Sequence, residues 1–200
     1  MNRLSVLLVV LLPALAQAEG GRPPGKMDNA GVERGRYLVE TGACHDCHTP
    51  HRMGKAGPEP DMSRQLSGHP EGQTLPPPPA ASGPWIWGGA GSMTAFHGPW
   101  GISYAMNLTP DKDTGLGSWR EEDFVRALKT GRHMGSGRPI LPPMPWGWYA
   151  RFTEPDLRAI FRYLQTLPAV KNRVPEPQPP AAPAPAAVPV SPPSEAPAPR

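Results

Sequence analysis

The chain's only two cysteines stand three positions apart in Gly42-Ala43-Cys44-His45-Asp46-Cys47-His48, and a histidine directly follows the second. Three chemistries use thiols at this spacing: a redox dithiol, part of a metal site, and a covalent anchor for a haem. A redox Cys-x-x-Cys opens a helix after a strand in a βαβ unit. Here a helical pattern precedes the pair, and no alternating strand pattern lies nearby. A structural zinc needs four ligands, commonly as two spaced pairs. With one cysteine pair, histidines such as His48, His51, His69 or His97 would have to complete the set, and nothing in their spacing asks for it.

Cys-x-x-Cys-His is the attachment pattern for a c-type haem. In that reading Cys44 and Cys47 bond the two vinyl groups on one porphyrin edge. His48 then reaches the iron as the proximal ligand, and His45 is a solvent-facing spacer. A second protein ligand favours electron transfer, whereas an open position favours catalysis or gas binding. Met93, His97, Met106, His133, Met134 and Met144 are the downstream candidates. Met144 is the preferred one. Pro142, Pro143 and Pro145 stiffen its backbone, so a thioether is held there at small entropic cost.

Three segments carry helical patterns. In Asn29–Thr41, Val32, Gly35, Leu38 and Val39 form one apolar face. A glycine inside a helix costs roughly 1 kcal/mol against alanine, so Gly35 is a candidate point of close helix crossing. Ser118–Gly131 begins with Ser118 and Glu121 at capping-box spacing, and Gly131 marks its end. Phe124, Val125 and Leu128 are its core face. Thr153–Pro168 has a Thr153 cap and Pro155 in its first turn. Its apolar stripe is Leu157, Ile160, Phe161 and Leu164. Between the first two patterns, residues 49–113 show no sustained period and read as one long loop, dense in the chain's 31 prolines and 22 glycines. Asp111, Asp113, Glu121 and Glu122 read as turn and helix-start acids, not catalytic carboxylates.

The ends differ in composition from this middle. Residues 1–18 combine Arg3, an apolar run from Leu4 to Leu15 and Ala16-Gln17-Ala18, the pattern of a cleaved secretory signal. That run is shorter than the roughly 18–20 apolar residues of a membrane span and contains Pro13, so no integral membrane segment is expected in the mature chain. Residues 175–200 are proline- and alanine-rich and read as a disordered tail. The remaining 19–174 suit one domain. A formal net charge of +3 without a basic run argues against a nucleic-acid partner.

The stretches "GRYLVETGACHDCH", "NLTPDKDTGLGSWREEDFVRALKTGRH" and "PPMPWGWYARFTEPDLRAIFRYLQTLPAVKNRVP" together resemble the class I cytochrome c domain, as found in periplasmic cytochrome c subunits of alcohol and sugar dehydrogenases. The resemblance covers about 32–175, interrupted by the long loop. It implies an all-α fold, three main helices around one covalently attached haem c, with a long Gly/Pro/Trp-rich loop insertion. It also supports His48 and Met144 as axial ligands, and a backbone carbonyl around Pro110 accepting the proximal imidazole's N–H. Subunits of this kind often carry several haem domains, whereas these 200 residues hold one CxxCH motif. Trp85, Trp87 and Trp100 in the loop either pack on their own domain or cover a haem edge and dock a partner.

The function expected from these readings is that of a periplasmic electron carrier, not an enzyme. It would pass single electrons between redox partner proteins on the dehydrogenase or terminal oxidase side. Two alternatives keep the haem. One is a peroxidase or thiosulfate-oxidising enzyme with an open or displaceable distal site. The other is a haem-based sensor or scaffold that recruits a partner through its tail.

Overall fold

A computed structural model describes residues 29–79 and 84–180. The expected signal segment 1–18 and the tail beyond residue 180 lie outside the described residues. Five α-helices are present among the described residues: α1 (Asn29–Thr41), α2 (Cys44–His48), α3 (Glu121–Thr130), α4 (Trp146–Tyr149) and α5 (Glu154–Leu164). None is long and apolar enough to cross a membrane.

Helices α1 and α5 cross at Gly35. A Cβ there would overlap the Ala159 carbonyl of α5, so the missing side chain is what lets the two backbones meet. Val39 of α1 and Leu157, Ile160 and Leu164 of α5 are buried beside this crossing, with Phe124, Val125 and Leu128 of α3 completing the cluster. Glu121 ties α3 to α5 through Arg162 Nε at 2.8 Å and Arg158 at 2.9 Å. Helix α3 starts two residues later than the Ser118 cap predicts. Its first turn is closed instead by Asp123, whose carboxylate accepts the Arg120 backbone N–H. Gly131 ends it in a left-handed conformation, as expected. Thr153 caps α5 by accepting the Asp156 N–H.

The all-α expectation is wrong. Residues 49–113 contain two small antiparallel sheets: β1 (His51–Gly54) with β2 (Gly57–Pro60), and β3 (Gly88–Gly89), β4 (Ala95–Gly98) and β5 (Gly101–Tyr104) in the order β3-β4-β5. The class I cytochrome c architecture built on helices alone therefore does not describe this chain. The strands are at most four residues long, too short for an alternating pattern to register. Two hairpins turn through two residues between glycines, Gly54↔Gly57 and Gly98↔Gly101. Gly57 and Gly101, the first residues after each turn, both have positive φ, which glycine adopts without a Cβ penalty.

Buried amides lock these loops to the segment after α5. Asn172 donates to the Ser67 and His69 carbonyls at 2.7 and 2.8 Å, and accepts the Glu71 N–H at 2.7 Å. Asn107 donates to the Val170 carbonyl at 2.8 Å and accepts from Thr109. Each is fully paired, as a buried amide must be. Residues 175–180, the start of the proline-rich tail, lie along β5, where Gln178 pairs with Ile102.

Candidate haem-binding site

The three longer helices do not close completely on one another. Between them and β4–β5 is a cavity of about 350 Å³, within the range of small-molecule sites. Core side chains, among them Leu38, Phe124, Leu128 and Ile160, form much of its wall. Asp46 and Arg138 are its charged residues among those described.

Cys44, Cys47 and His48 reach the wall from α2, a single turn of helix. Ala43 precedes it in a left-handed conformation, with φ 58°, which turns the chain sharply out of α1. Both thiols are free and half-buried. Burial pushes the Cys44 thiol up to about 11 and the Cys47 thiol in the same direction. A thiol-exchange site needs the opposite, a thiolate stabilised near neutral pH.

His48 is buried, and burial holds its imidazole below the usual range despite the opposing pull of the Met106 carbonyl. Its Nδ1 lies 2.8 Å from that carbonyl oxygen. A carbonyl only accepts, so Nδ1 carries the proton and Nε2 keeps the lone pair a metal would use. The acceptor expected around Pro110 is thus the Met106 carbonyl. His45 is not solvent-facing either: it is half-buried, with Nδ1 2.9 Å from Thr49 Oγ1.

Met144 also lines the cavity. Its loop is fastened on both sides. Ser103 Oγ of β5 donates to the Pro142 carbonyl at 2.6 Å. Tyr149 of α4, just beyond, donates to the Gly42 carbonyl at 2.6 Å, and burial raises its phenol to about 12. Lys129 holds the far end of α4 by donating to the Ala150 and Phe152 carbonyls, each at 2.8 Å. Met106 and His133 line the cavity too, whereas Met93, His97 and Met134 do not.

Among the described residues no three His, Cys, Asp or Glu side chains cluster as a metal site. Of the four histidines weighed as zinc ligands, His48 lines the cavity and His51, His69 and His97 do not. His69, for instance, is fully buried, with its two ring nitrogens spent on Thr94 Oγ1 and the Gln73 carbonyl. The donor side chains in the cavity wall are the Cys44 and Cys47 thiols, the His48 and His133 imidazoles and the Met106 and Met144 thioethers, set in largely apolar surroundings, and no three of the thiols and imidazoles cluster. That set fits a covalently held haem and does not fit a four-ligand zinc. Of the tryptophans, Trp85 and Trp87 are largely exposed, while Trp100 is half-buried and donates to Ser103 Oγ at 3.2 Å.

The helices and β4–β5 thus enclose a largely apolar cavity with two free thiols in its wall. No protein-family model matches the chain. Its relatives are nevertheless consistent. It is 26% identical over 84% of its length to the cytochrome c subunit of the quinone alcohol dehydrogenase of Gluconobacter oxydans, and 28% identical over 77% to the cytochrome subunit of fructose dehydrogenase of Gluconobacter japonicus. It is 28% identical over 68% to the cytochrome c subunit of gluconate 2-dehydrogenase of Pantoea cypripedii. The chain resembles the cytochrome c subunits of dehydrogenases. It spans only 29%, 26% and 23% of the length of these three curated relatives.

Proposed function

We propose that the chain is a c-type cytochrome carrying single electrons for a dehydrogenase, with Cys44 and Cys47 as thioether anchors and His48 and Met144 as axial ligands of one haem c. The observation that supports this reading most is the convergence of these four side chains on one apolar cavity, although Met144 is remote from the others in sequence. Bound there, the haem would supply a one-electron iron couple. The protein's own contribution is positional. The Met106 carbonyl fixes the His48 ring and makes it a stronger donor. The Ser103 and Tyr149 hydrogen bonds hold the Met144 loop in place. An apolar wall disfavours the more highly charged iron state, and a thioether ligand acts in the same direction, toward a higher potential. No proton transfer at a substrate is needed for this role. Export, with cleavage near Ala18, belongs to the same reading, since covalent attachment of a c-type haem in bacteria takes place outside the cytoplasm.

The test compares optical spectra of wild type and Met144→Ala, co-expressed with haem-attachment machinery, with and without carbon monoxide. The expected wild type shows a methionine-to-iron charge-transfer band and resists carbon monoxide, and Met144→Ala reverses both. A wild type that binds carbon monoxide readily and is unaffected by Met144→Ala would overturn the assignment of Met144 and turn the reading toward a haem enzyme.

A further inference from the structure

Proline-rich chain beyond a last helix is ordinarily spacer, yet residues 176–178 are built into the domain at three consecutive positions. Glu176 Oε2 accepts from Arg138 Nε at 3.2 Å. Pro177 lies in the cavity wall, together with Arg138 and Tyr104. Gln178 exchanges both backbone hydrogen bonds with Ile102, each 2.9 Å, and its side-chain amide donates to Tyr104 Oη at 2.9 Å.

The partner strand is shaped to receive this segment. Gly101 has φ +94°, and a Cβ on it would overlap the Gln178 carbonyl and crowd Pro179 and Pro180. Arg138 and Met144 belong to the same loop, which β5 already grips through Ser103 and Pro142. The segment after α5 therefore bridges β5 to the loop that carries Met144, and closes part of the cavity as it does so.

We propose that Glu176, Pro177 and Gln178 form a strap that clamps the Met144 loop over the cavity, making Glu176 and Gln178 positioning residues for the distal ligand. This rests on the haem reading above. The exposed Arg138–Glu176 pair contributes little alone. The Gln178–Ile102 backbone pair carries the attachment, and it also covers an otherwise open sheet edge. Loss of the strap leaves the loop with fewer ties, so the thioether spends more time away from its ligating position.

The experiment uses four haem-loaded proteins: the full chain, a chain ending at residue 180, a chain ending at residue 174, and full-length Glu176→Ala/Gln178→Pro. The last replaces the Gln178 N–H donor without shortening the chain, and it serves should the shortest chain fail to fold. Two quantities are read: hydrogen exchange at the Ile102 amide, and the charge-transfer band with carbon monoxide binding. The chain ending at 180 should match the full chain in both. The chain ending at 174, which lacks the Gln178 carbonyl that accepts the Ile102 N–H, should exchange Ile102 about tenfold faster or more, as expected for a lost backbone hydrogen bond, and both it and Glu176→Ala/Gln178→Pro should show a weakened band and at least a severalfold gain in carbon monoxide binding. Unchanged Ile102 exchange in the chain ending at 174 would refute the docking. Faster exchange with an unchanged band and no gain in carbon monoxide binding would refute the positioning role and leave the haem reading standing. Failure of the full chain to attach haem would remove the haem reading, and the positioning role with it.

Discussion

Adding one methyl group at Gly35 tests the helix crossing on which the cavity depends. A Cβ there would overlap the Ala159 carbonyl and sit 2.8 Å from the Tyr163 Cβ. The first obstacle is backbone and the second is the root of a side chain, so no rotamer change relieves them and the helices must part. Parting costs about 3 kcal/mol, the upper end for overpacking, because Val39, Leu157 and Ile160 lose close contacts as well. Alanine returns about 1 kcal/mol in helix propensity. The net loss for Gly35→Ala is about 2 kcal/mol, or about 4–8 °C in Tm for a domain of this size. Gly147→Ala in α4 is the control, since nothing lies within 4 Å of its Cβ, and its Tm should hold or rise. Both are measured by thermal unfolding followed by circular dichroism at equal haem content. A Gly35→Ala protein that melts at or above wild type refutes the crossing.

Two further perturbations probe the ties around that core. Burial pushes the Glu121 carboxyl up, but hydrogen bonds from Arg162 and Arg158 outweigh it and hold the group below the ordinary glutamate range. A depressed folded-state value contributes stability that is complete above the unfolded value, near 4.5, and is lost as pH falls through the folded one. Glu121→Gln should therefore cost about 1 kcal/mol at pH 7, discounted for the exposure of Arg162. Its Tm should fall less than that of wild type between pH 6 and pH 3, and parallel pH curves would contradict the pairing. Tyr149→Phe removes the donor to the Gly42 carbonyl and should cost about 1 kcal/mol in urea unfolding. Unchanged urea stability would show that the tie carries no weight.

The three longer helices, α1, α3 and α5, were legible in the sequence because each buries a stripe with the helical period, and the Gly35 crossing because glycine there has a cost that close approach repays; the single turns α2 and α4, one burying only His48 and the other nothing, were not. Nor were the sheets. Strands of four residues or fewer cannot show a period, and proline and glycine, which dominate this stretch, ordinarily mark loops. The usable signals were local: Gly54-Lys55-Ala56-Gly57 and Gly98-Pro99-Trp100-Gly101 both have the glycine spacing of a two-residue hairpin turn. The start of α3 was misplaced for a similar reason. Ser118 and Glu121 fit a capping box on paper, but Arg120 and Asp123 make the contact, two residues further along the chain.

At the site, side chains with distinctive chemistry could be picked out by type, whereas backbone acceptors could not. Nothing in the letters distinguishes the Met106 carbonyl from any other, so the partner of His48 had to come from the fold. The strap had a sequence signal of the opposite kind, an absence among repeats. In Pro175-Glu176-Pro177-Gln178-Pro179-Pro180 only Glu176 and Gln178 retain a backbone N–H. A segment so depleted of donors cannot run a ladder along β5, which is why it makes a single bridge, at Ile102. That bridge falls on Gln178, where both a backbone N–H and a side-chain amide remain. The flanking prolines limit how far such a segment can coil. A tail that is stiff, poor in donors and anchored at one amide suits a clamp better than a spacer does. The choice of Gln178 as the residue to break follows from that.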